Sequence, residues 1–195
     1  MGKIIPRWEW RTFGENLSFG EANIRKHEQG QVRESSEIYI LSDASNDNTK
    51  IRDELMDIKT LLRVNNNGLE QWTPILKAGF PIHITDLAVV YKAFNIKYPY
   101  FQKDEYSYDE YLNELIKPAN ELQIVNVFKK RSGYTINDCI VEIAEVKFNE
   151  FHTKTIAVEH PDPELVISTV KELELIELEN INYIKAMKQS VGMKY

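Results

Sequence analysis

Charged side chains recur at every second position in several stretches of this sequence, and the first such stretch covers residues 6–13. Arg7, Glu9 and Arg11 alternate there with Trp8 and Trp10. Successive side chains of a β-strand point to opposite faces, so a strand here has one charged face and one face that two tryptophans anchor in a core. The charged face either meets water or, if other strands repeat the pattern, belongs to a charged interior.

Charged residues, most of them basic, repeat this alternation later in the chain. The residues that share a strand face are Lys50 with Arg52, Asp57 with Lys59, and Lys129 with Arg131. Like charges placed side by side repel each other unless something neutralises them. If these faces converge, an anion must lie between them.

Acidic residues follow toward the C-terminal part of the chain. In the strand predicted at residues 139–148, Glu142 and Glu145 fall on opposite faces of a regular strand, and only a β-bulge would bring both to one side. Glu159 ends the last predicted strand, on the face of Ala157 and Thr155. Carboxylates are ligands for hard divalent cations such as Mg²⁺.

Two interpretations of these faces stay open. An open sheet with water on its charged side satisfies the charges without any ligand. A closed barrel filled with them needs a polyanion among the bases and a divalent cation among the carboxylates. A phosphate chain with Mg²⁺ or Mn²⁺ supplies both.

The elements that must position these residues are mainly strands. Alternation and turn residues predict strands at residues 6–13, 31–42, 49–52, 55–62, 69–76, 123–131, 134–136, 139–148 and 153–159. In the second of these, Ile38 and Ile40 share one face, while Glu37 and Tyr39 share the other. The strands are expected to be antiparallel, in an α+β fold.

Helices are predicted from their start signals and apolar periodicity. Ser18 with Glu21, and Ser107 with Glu110, have the spacing of a capping box, and Thr85 is the expected N-cap of a helix at residues 84–94. A further helix starts at Asp162-Pro163, and a last one covers residues 183–188.

Composition limits the class of protein. The chain of 195 residues has a net charge of −6, which argues against bulk binding of nucleic acid or membrane. Cys139 is the single cysteine, so neither a disulfide framework nor a cysteine-rich metal site is expected. No apolar run reaches membrane-spanning length. We expect one cytoplasmic domain over residues 1–195.

The charged motifs, taken in order, resemble the triphosphate tunnel metalloenzymes, or CYTH domain family. That family is marked by an N-terminal Glu-x-Glu-x-Lys strand, then strands with basic pairs, then acidic strands. The matching segments are Arg7-Trp-Glu9-Trp-Arg11, Lys50-Ile-Arg52, Asp57-Ile-Lys59, Lys129-Lys-Arg131, Glu142-Ile-Ala-Glu145 and Ala157-Val-Glu159. The chain departs from the family where Arg7 replaces the first glutamate and Ala157 replaces one member of the final acidic pair.

The resemblance implies an eight-stranded antiparallel closed β-barrel, or tunnel, with flanking helices. It implies a substrate clamp formed by Arg7, Arg11, Lys50, Arg52, Lys59, Lys129 and Arg131. It implies Mg²⁺ or Mn²⁺ held by Glu9, Glu142, Glu145 and Glu159. It assigns catalytic roles to Glu9, Lys59 and Arg131.

The function that the resemblance implies is metal-dependent hydrolysis of a linear triphosphate or short polyphosphate, whether inorganic or part of a nucleotide or thiamine triphosphate. The alternative is a binding module for polyphosphate or nucleotide that has lost hydrolysis, which the altered first motif favours. A third interpretation is an ordinary antiparallel sheet covered by helices, with no ligand. The expected partner is a small phosphate-chain ligand rather than nucleic acid or membrane, and a homodimer stays open.

Overall fold

Eight strands close into an antiparallel barrel in the computed structural model, which describes residues 5–195. The strands around the barrel follow the order β1-β10-β9-β8-β2-β3-β4-β5. The strands are β1 (Trp8–Gly14), β2 (Gln29–Ser42), β3 (Asn48–Arg52), β4 (Leu55–Val64), β5 (Glu70–Gly79), β6 (Ile82–His83), β7 (Glu105–Tyr106), β8 (Leu122–Ile136), β9 (Cys139–Phe148) and β10 (Phe151–His160). The barrel confirms the fold that the resemblance implied and excludes the interpretation as an open sheet.

Helices flank the barrel and close one end of it. They are α1 (Ser18–Ile24), α2 (Ile84–Phe94), α3 (Tyr108–Glu110, continued by a π-helical turn over Tyr111–Ile116), α4 (Pro163–Glu172) and α5 (Tyr183–Ser190). No helix in the described part of the chain is long and apolar enough to span a membrane.

The strand register brings the charged faces to the inside of the barrel. Glu9 pairs with Glu159 across β1 and β10, and Arg131 pairs with Ala144 across β8 and β9. Tyr39 of β2 pairs with Lys50 of β3. Because side chains alternate along every strand, these positions fix which residues share the interior face.

Apolar residues cover the outer face of the barrel. Trp8 and Trp10 are buried in one cluster with Val158 of β10 and with Val166 and Val170 of α4. The tryptophans therefore anchor β1 on its outer side, as the sequence predicted, and the charged side of β1 is turned inward.

A different apolar cluster fills one end of the barrel interior. Ile184 and Met187 of α5 pack against Leu41, Val125 and Phe148. These strand residues lie on the same faces as the interior charges. The C-terminal helix thereby separates an apolar end of the interior from a polar one.

The prediction of two strands at residues 123–131 and 134–136 was wrong, because β8 is continuous. Gly133 does not interrupt it, since Gly133 pairs with Glu142 and its neighbour Ser132 pairs with both Val32 and Ile143. Strands on both sides supply the hydrogen-bonding partners that a glycine in an isolated strand would lack. The short strands β6 and β7 were not predicted, since two residues are too few to show alternation.

Two of the predicted helix caps were wrong. Ser18 makes no capping hydrogen bond, because it lies inside α1 after the N-cap residue Leu17. His83, rather than Thr85, caps α2, and its Nδ1 accepts from the Thr85 backbone N–H at 3.2 Å.

The other two helix starts were predicted correctly. Ser107 and Glu110 form a reciprocal capping box at the start of α3. Asp162 caps α4, with Pro163 in the first turn.

Candidate anion-binding site inside the barrel

A polar cavity of about 200 Å³ lies inside the barrel. Eight charged residues singled out in the sequence line it: Glu9, Arg11, Lys50, Lys59, Lys129, Arg131, Glu142 and Glu159. They come from six different strands, so only the closed barrel brings them together.

The other three singled-out residues lie outside this lining. Arg7 is half exposed, and its Nε lies 3.2 Å from Glu159 Oε2. The Arg52 side chain is 46% exposed and pairs with Glu37 and Asp53 at 3.7 and 3.8 Å.

Glu145 is exposed on the outside of the barrel. The pairing of β9 with β8 and β10 runs without a register shift through Glu142 and Glu145, so no bulge turns Glu145 inward. Its neighbour across the ladder is Lys154. The structure therefore does not place Glu145 where a ligand to a metal in the cavity would have to be.

Arg11 occupies the centre of the acidic side of the cavity. Its Nε donates to Glu9 Oε1 at 2.5 Å, and its terminal nitrogens lie 3.6 Å from Glu142 and 3.9 Å from Glu159. The guanidinium also lies 4.6 Å from the centroid of the Tyr183 ring, within range of a cation–π interaction. One buried cation thus contacts all three carboxylates.

Burial has a strong effect on Glu159. Removal from water, together with the neighbouring Glu9 carboxylate, raises the pKa of Glu159 to about 7, although Arg11 and Arg7 oppose this change. Glu159 therefore needs a positive partner to stay ionised at neutral pH.

Lys129 lies at the opposite, basic side of the cavity and is buried. Its Nζ donates to Glu37 Oε2 at 2.9 Å and to the Tyr39 hydroxyl at 2.8 Å. The same nitrogen lies 4.0 Å from the Tyr183 ring centroid. Burial lowers the pKa of Lys129 to about 8, with the Glu37 carboxylate limiting the fall.

Glu37 is a functional candidate that the sequence analysis missed. Its side chain is fully buried and lies 3.8 Å from Lys50 and 3.7 Å from Arg52, besides its bond to Lys129. Burial acts to raise the pKa of Glu37, but Lys129 and Lys50 outweigh it and lower that pKa to about 2. The available signal was that Glu37 and Tyr39 share one strand face.

Several buried polar atoms around the cavity lack partners. Within residues 5–195, Asn48 Oδ1, Arg131 Nε and the Tyr183 hydroxyl are buried and make no hydrogen bond, and all three residues line the cavity. Buried polar groups are rarely left unpaired. Arg131 Nε and the Tyr183 hydroxyl are donors, so an oxyanion would satisfy both.

Tyr183 and Asn182 were also missed by the sequence analysis. They reach the cavity from the start of α5, where Asn182 Nδ2 donates to both carboxylate oxygens of Glu70, at 3.0 and 2.9 Å. Nothing in strand alternation signals that a C-terminal helix inserts into the barrel.

The carboxylates do not fit a divalent cation in this arrangement. Mg²⁺ and similar ions require several oxygens at about 2.0–2.6 Å, whereas Arg11 contacts Glu9, Glu142 and Glu159 together. In the described part of the chain, no three histidine, cysteine, aspartate or glutamate side chains are grouped so that they could hold a metal ion.

Solved structures with the same fold were found, although no family model and no curated protein matches the sequence significantly. A Hippeastrum protein, described as a candidate adenylyl cyclase with a dominant triphosphatase activity, matches with a TM-score of 0.52 and 11% identity, over 97% of each chain. A candidate adenylate cyclase from Bacillus halodurans matches with a TM-score of 0.51 and 15% identity, over 95% of this chain and 98% of that one. At such identities the likeness concerns the fold. Together with the eight-stranded barrel and its charged interior, it shows that the chain has the CYTH-type triphosphate tunnel fold.

Proposed function

We propose that the barrel binds the phosphate chain of a linear triphosphate or short polyphosphate. The observation that carries this proposal is the pair of buried donors without partners, Arg131 Nε and the Tyr183 hydroxyl, in a cavity that Lys50, Lys59 and Lys129 also line. Phosphate oxygens accept charge-assisted hydrogen bonds from such groups. The cavity is small and enclosed by strands, which suits a narrow chain of phosphates better than a bulky ligand.

The test is tripolyphosphate binding by isothermal titration calorimetry, in buffer with a metal chelator. Arg131→Ala should weaken binding by about 1.5–3 kcal/mol, or roughly 10- to 150-fold, because a charge-assisted hydrogen bond is lost. Lys130→Ala is the matched control, since Lys130 is the next residue on β8 but is exposed and pairs with Glu34 at 3.9 Å. Equal effects of the two substitutions would contradict binding inside the barrel.

A second candidate is the metal-dependent phosphohydrolase that the resemblance implies, with Glu9, Lys59 and Arg131 as catalytic residues and Mg²⁺ or Mn²⁺ as cofactor. The observation in its favour is the convergence of Glu9, Glu142 and Glu159 in one cavity with basic residues. Those basic residues are Lys50, Lys59, Lys129 and Arg131. The triphosphatase activity reported for the Hippeastrum protein points the same way.

The position of Arg11 favours binding over metal-dependent hydrolysis. Release of inorganic phosphate from tripolyphosphate with Mn²⁺ or Mg²⁺ distinguishes the two functions. Turnover that a chelator abolishes and a divalent cation restores would establish the hydrolase. Binding without such turnover is the result that we expect.

A further inference from the structure

We propose that the Arg11 guanidinium, assisted by Arg7, takes the place of a divalent cation at the acidic side of the cavity, so that the phosphate chain is bound without metal. The ligand part of this inference rests on the proposed function. The replacement of the metal concerns the protein alone and can be tested without any phosphate ligand.

Arg11 already makes the contacts that a bridging cation would make. Its side chain is only 6% exposed, and it lies within 3.9 Å of the carboxylates of Glu9, Glu142 and Glu159. Its Nη1 also donates to the Thr155 hydroxyl at 3.3 Å. A divalent ion would need the same carboxylate oxygens at shorter distances, and it would then stand next to a buried positive charge.

The backbone of Arg11 is held in place by the segment that precedes α5. The Arg11 N–H donates to Asn180 Oδ1 at 2.9 Å, and its carbonyl accepts from the Ile181 N–H at 2.7 Å. The ring of Tyr183 packs on the guanidinium. Turning the Arg11 side chain aside would break its contacts with the Tyr183 ring, the Thr155 hydroxyl and the three carboxylates, so the guanidinium is a fixed part of the site.

Arg7 supplies the second positive charge. It stands where the resemblance expects a carboxylate, and its Nε contacts Glu159 at 3.2 Å. The two guanidinium groups together carry the charge of one divalent cation. A guanidinium has five N–H donors, so one edge can hold a carboxylate while another binds a phosphate oxygen.

The direct experiment is a Mn²⁺ titration of the ligand-free protein followed by electron paramagnetic resonance. We expect the wild-type protein to show no saturable site below about 0.1 mM Mn²⁺, an affinity that even modest oxygen-ligand sites reach. Arg11→Gln should create or tighten a Mn²⁺ site by at least about tenfold, because it removes a positive charge from the carboxylates. Arg7→Glu should do so as well, because it removes a positive charge and adds a carboxylate ligand.

Arg33→Gln is the control, since Arg33 is exposed and bonds to Gln31 on β2. Saturable Mn²⁺ binding to the wild-type protein would overturn the inference. So would folded Arg11→Gln and Arg7→Glu variants that bind Mn²⁺ no better than Arg33→Gln. If Arg11→Gln does not fold, the wild type and Arg7→Glu decide the question.

Tripolyphosphate titrations in buffer with a metal chelator and in buffer with added Mn²⁺ separate this inference from the proposed function. Equal affinity for tripolyphosphate in the two conditions supports both the replacement of the metal and the proposed function. Binding that requires Mn²⁺ overturns the replacement of the metal and keeps the proposed function. If tripolyphosphate binds in neither condition, the proposed function is wrong. The Mn²⁺ titration of the ligand-free protein then still decides whether Arg11 replaces the metal.

Discussion

Glu37 carries a negative charge among the basic side chains of Lys50, Arg52 and Lys129. This charge explains how those side chains can lie close together without a bound ligand. Lys129 is almost fully buried, and an unpaired ammonium group in that position would be costly. Its bond to Glu37 at 2.9 Å supplies the counter-charge, and the Tyr39 hydroxyl accepts a second hydrogen bond. Lys59 and Arg131 then remain for an entering anion, and Lys50, which lies 3.8 Å from Glu37, borders the same cavity.

Replacement of Glu37 by glutamine should destabilise the fold. Breaking one partner of a buried ion pair typically costs 3–5 kcal/mol, and we expect about 3 kcal/mol here because the cavity adjoins the pair. Urea unfolding measures the change. Glu34→Gln on the same strand is the control, since Glu34 is exposed and pairs with Lys130 only at 3.9 Å. Its effect should stay below about 0.5 kcal/mol. Similar losses in both variants would contradict the assigned role of Glu37.

The low pKa of Glu37 makes this contribution depend on pH. A carboxyl group whose pKa is about 2 in the folded protein, against an ordinary value of 4.5, stabilises the fold above pH 4.5 and loses that effect as the pH falls toward 2. The shift corresponds to ~3 kcal/mol. The difference in unfolding free energy between wild type and Glu37→Gln should therefore shrink steadily below about pH 4.5. A difference that stays constant between about pH 5 and about pH 3 would contradict the prediction.

At the residue scale, the alternation of side chains along predicted strands identified most of the charged residues of the cavity, but it missed Glu37. It placed Glu9 with Arg11 and Lys129 with Arg131 because a strand face is a local property of the sequence. Strand alternation placed Glu37 on one face with Tyr39, but the sequence could not show that this acidic residue lies among basic ones before the pairing of β2 with β8 was known.

The C-terminal helix α5 is the element that bounds the cavity at one end of the barrel. Its apolar residues fill one end of the barrel, while Asn182 and Tyr183 at its start line the polar end. Asn182 caps α5 by accepting from the Lys185 N–H at 3.0 Å and ties it to Glu70 of β5. The position of Tyr183 therefore depends on that cap.

Asn182→Ala should lower both stability and ligand affinity, and His83→Ala should lower stability alone. Loss of an N-cap costs about 1 kcal/mol in each case. Because α2 packs on the outer face of the barrel, only the α5 variant should weaken tripolyphosphate binding, by roughly tenfold or ~1.4 kcal/mol. Thermal unfolding and calorimetry measure the two effects. Equal affinities of the two variants for tripolyphosphate would contradict a role for α5 in the site.

Element boundaries show which sequence signals depended on tertiary structure. The helix starts at Ser107 and Asp162 follow from local capping chemistry and were predicted. The break at Ser132-Gly133 was predicted from local propensity, but hydrogen bonds from the strands on both sides override it. The insertion of α5 into the barrel left no local signal, since an amphipathic helix can pack equally well on an outer surface.

The whole molecule is acidic, whereas its cavity is basic. The chain has a net charge of −6, but five basic and three acidic side chains line the cavity. The net charge of the protein therefore does not favour the approach of a polyanion, and affinity must come from contacts inside the barrel, where screening by salt is weaker than at the surface. Barrel closure is the feature that concentrates charges from six strands in one place.

The most direct test of this account is a crystal structure of the protein with tripolyphosphate, grown with a metal chelator. We predict phosphate oxygens within hydrogen-bonding distance, about 3 Å, of Arg131 Nε and the Tyr183 hydroxyl, with Lys50 and Lys59 nearby. Arg11 should keep its contacts with Glu9 and Glu142. A cavity without phosphate at saturating ligand, or tripolyphosphate found only on the outer surface, would contradict the central claim that the barrel interior is the binding site.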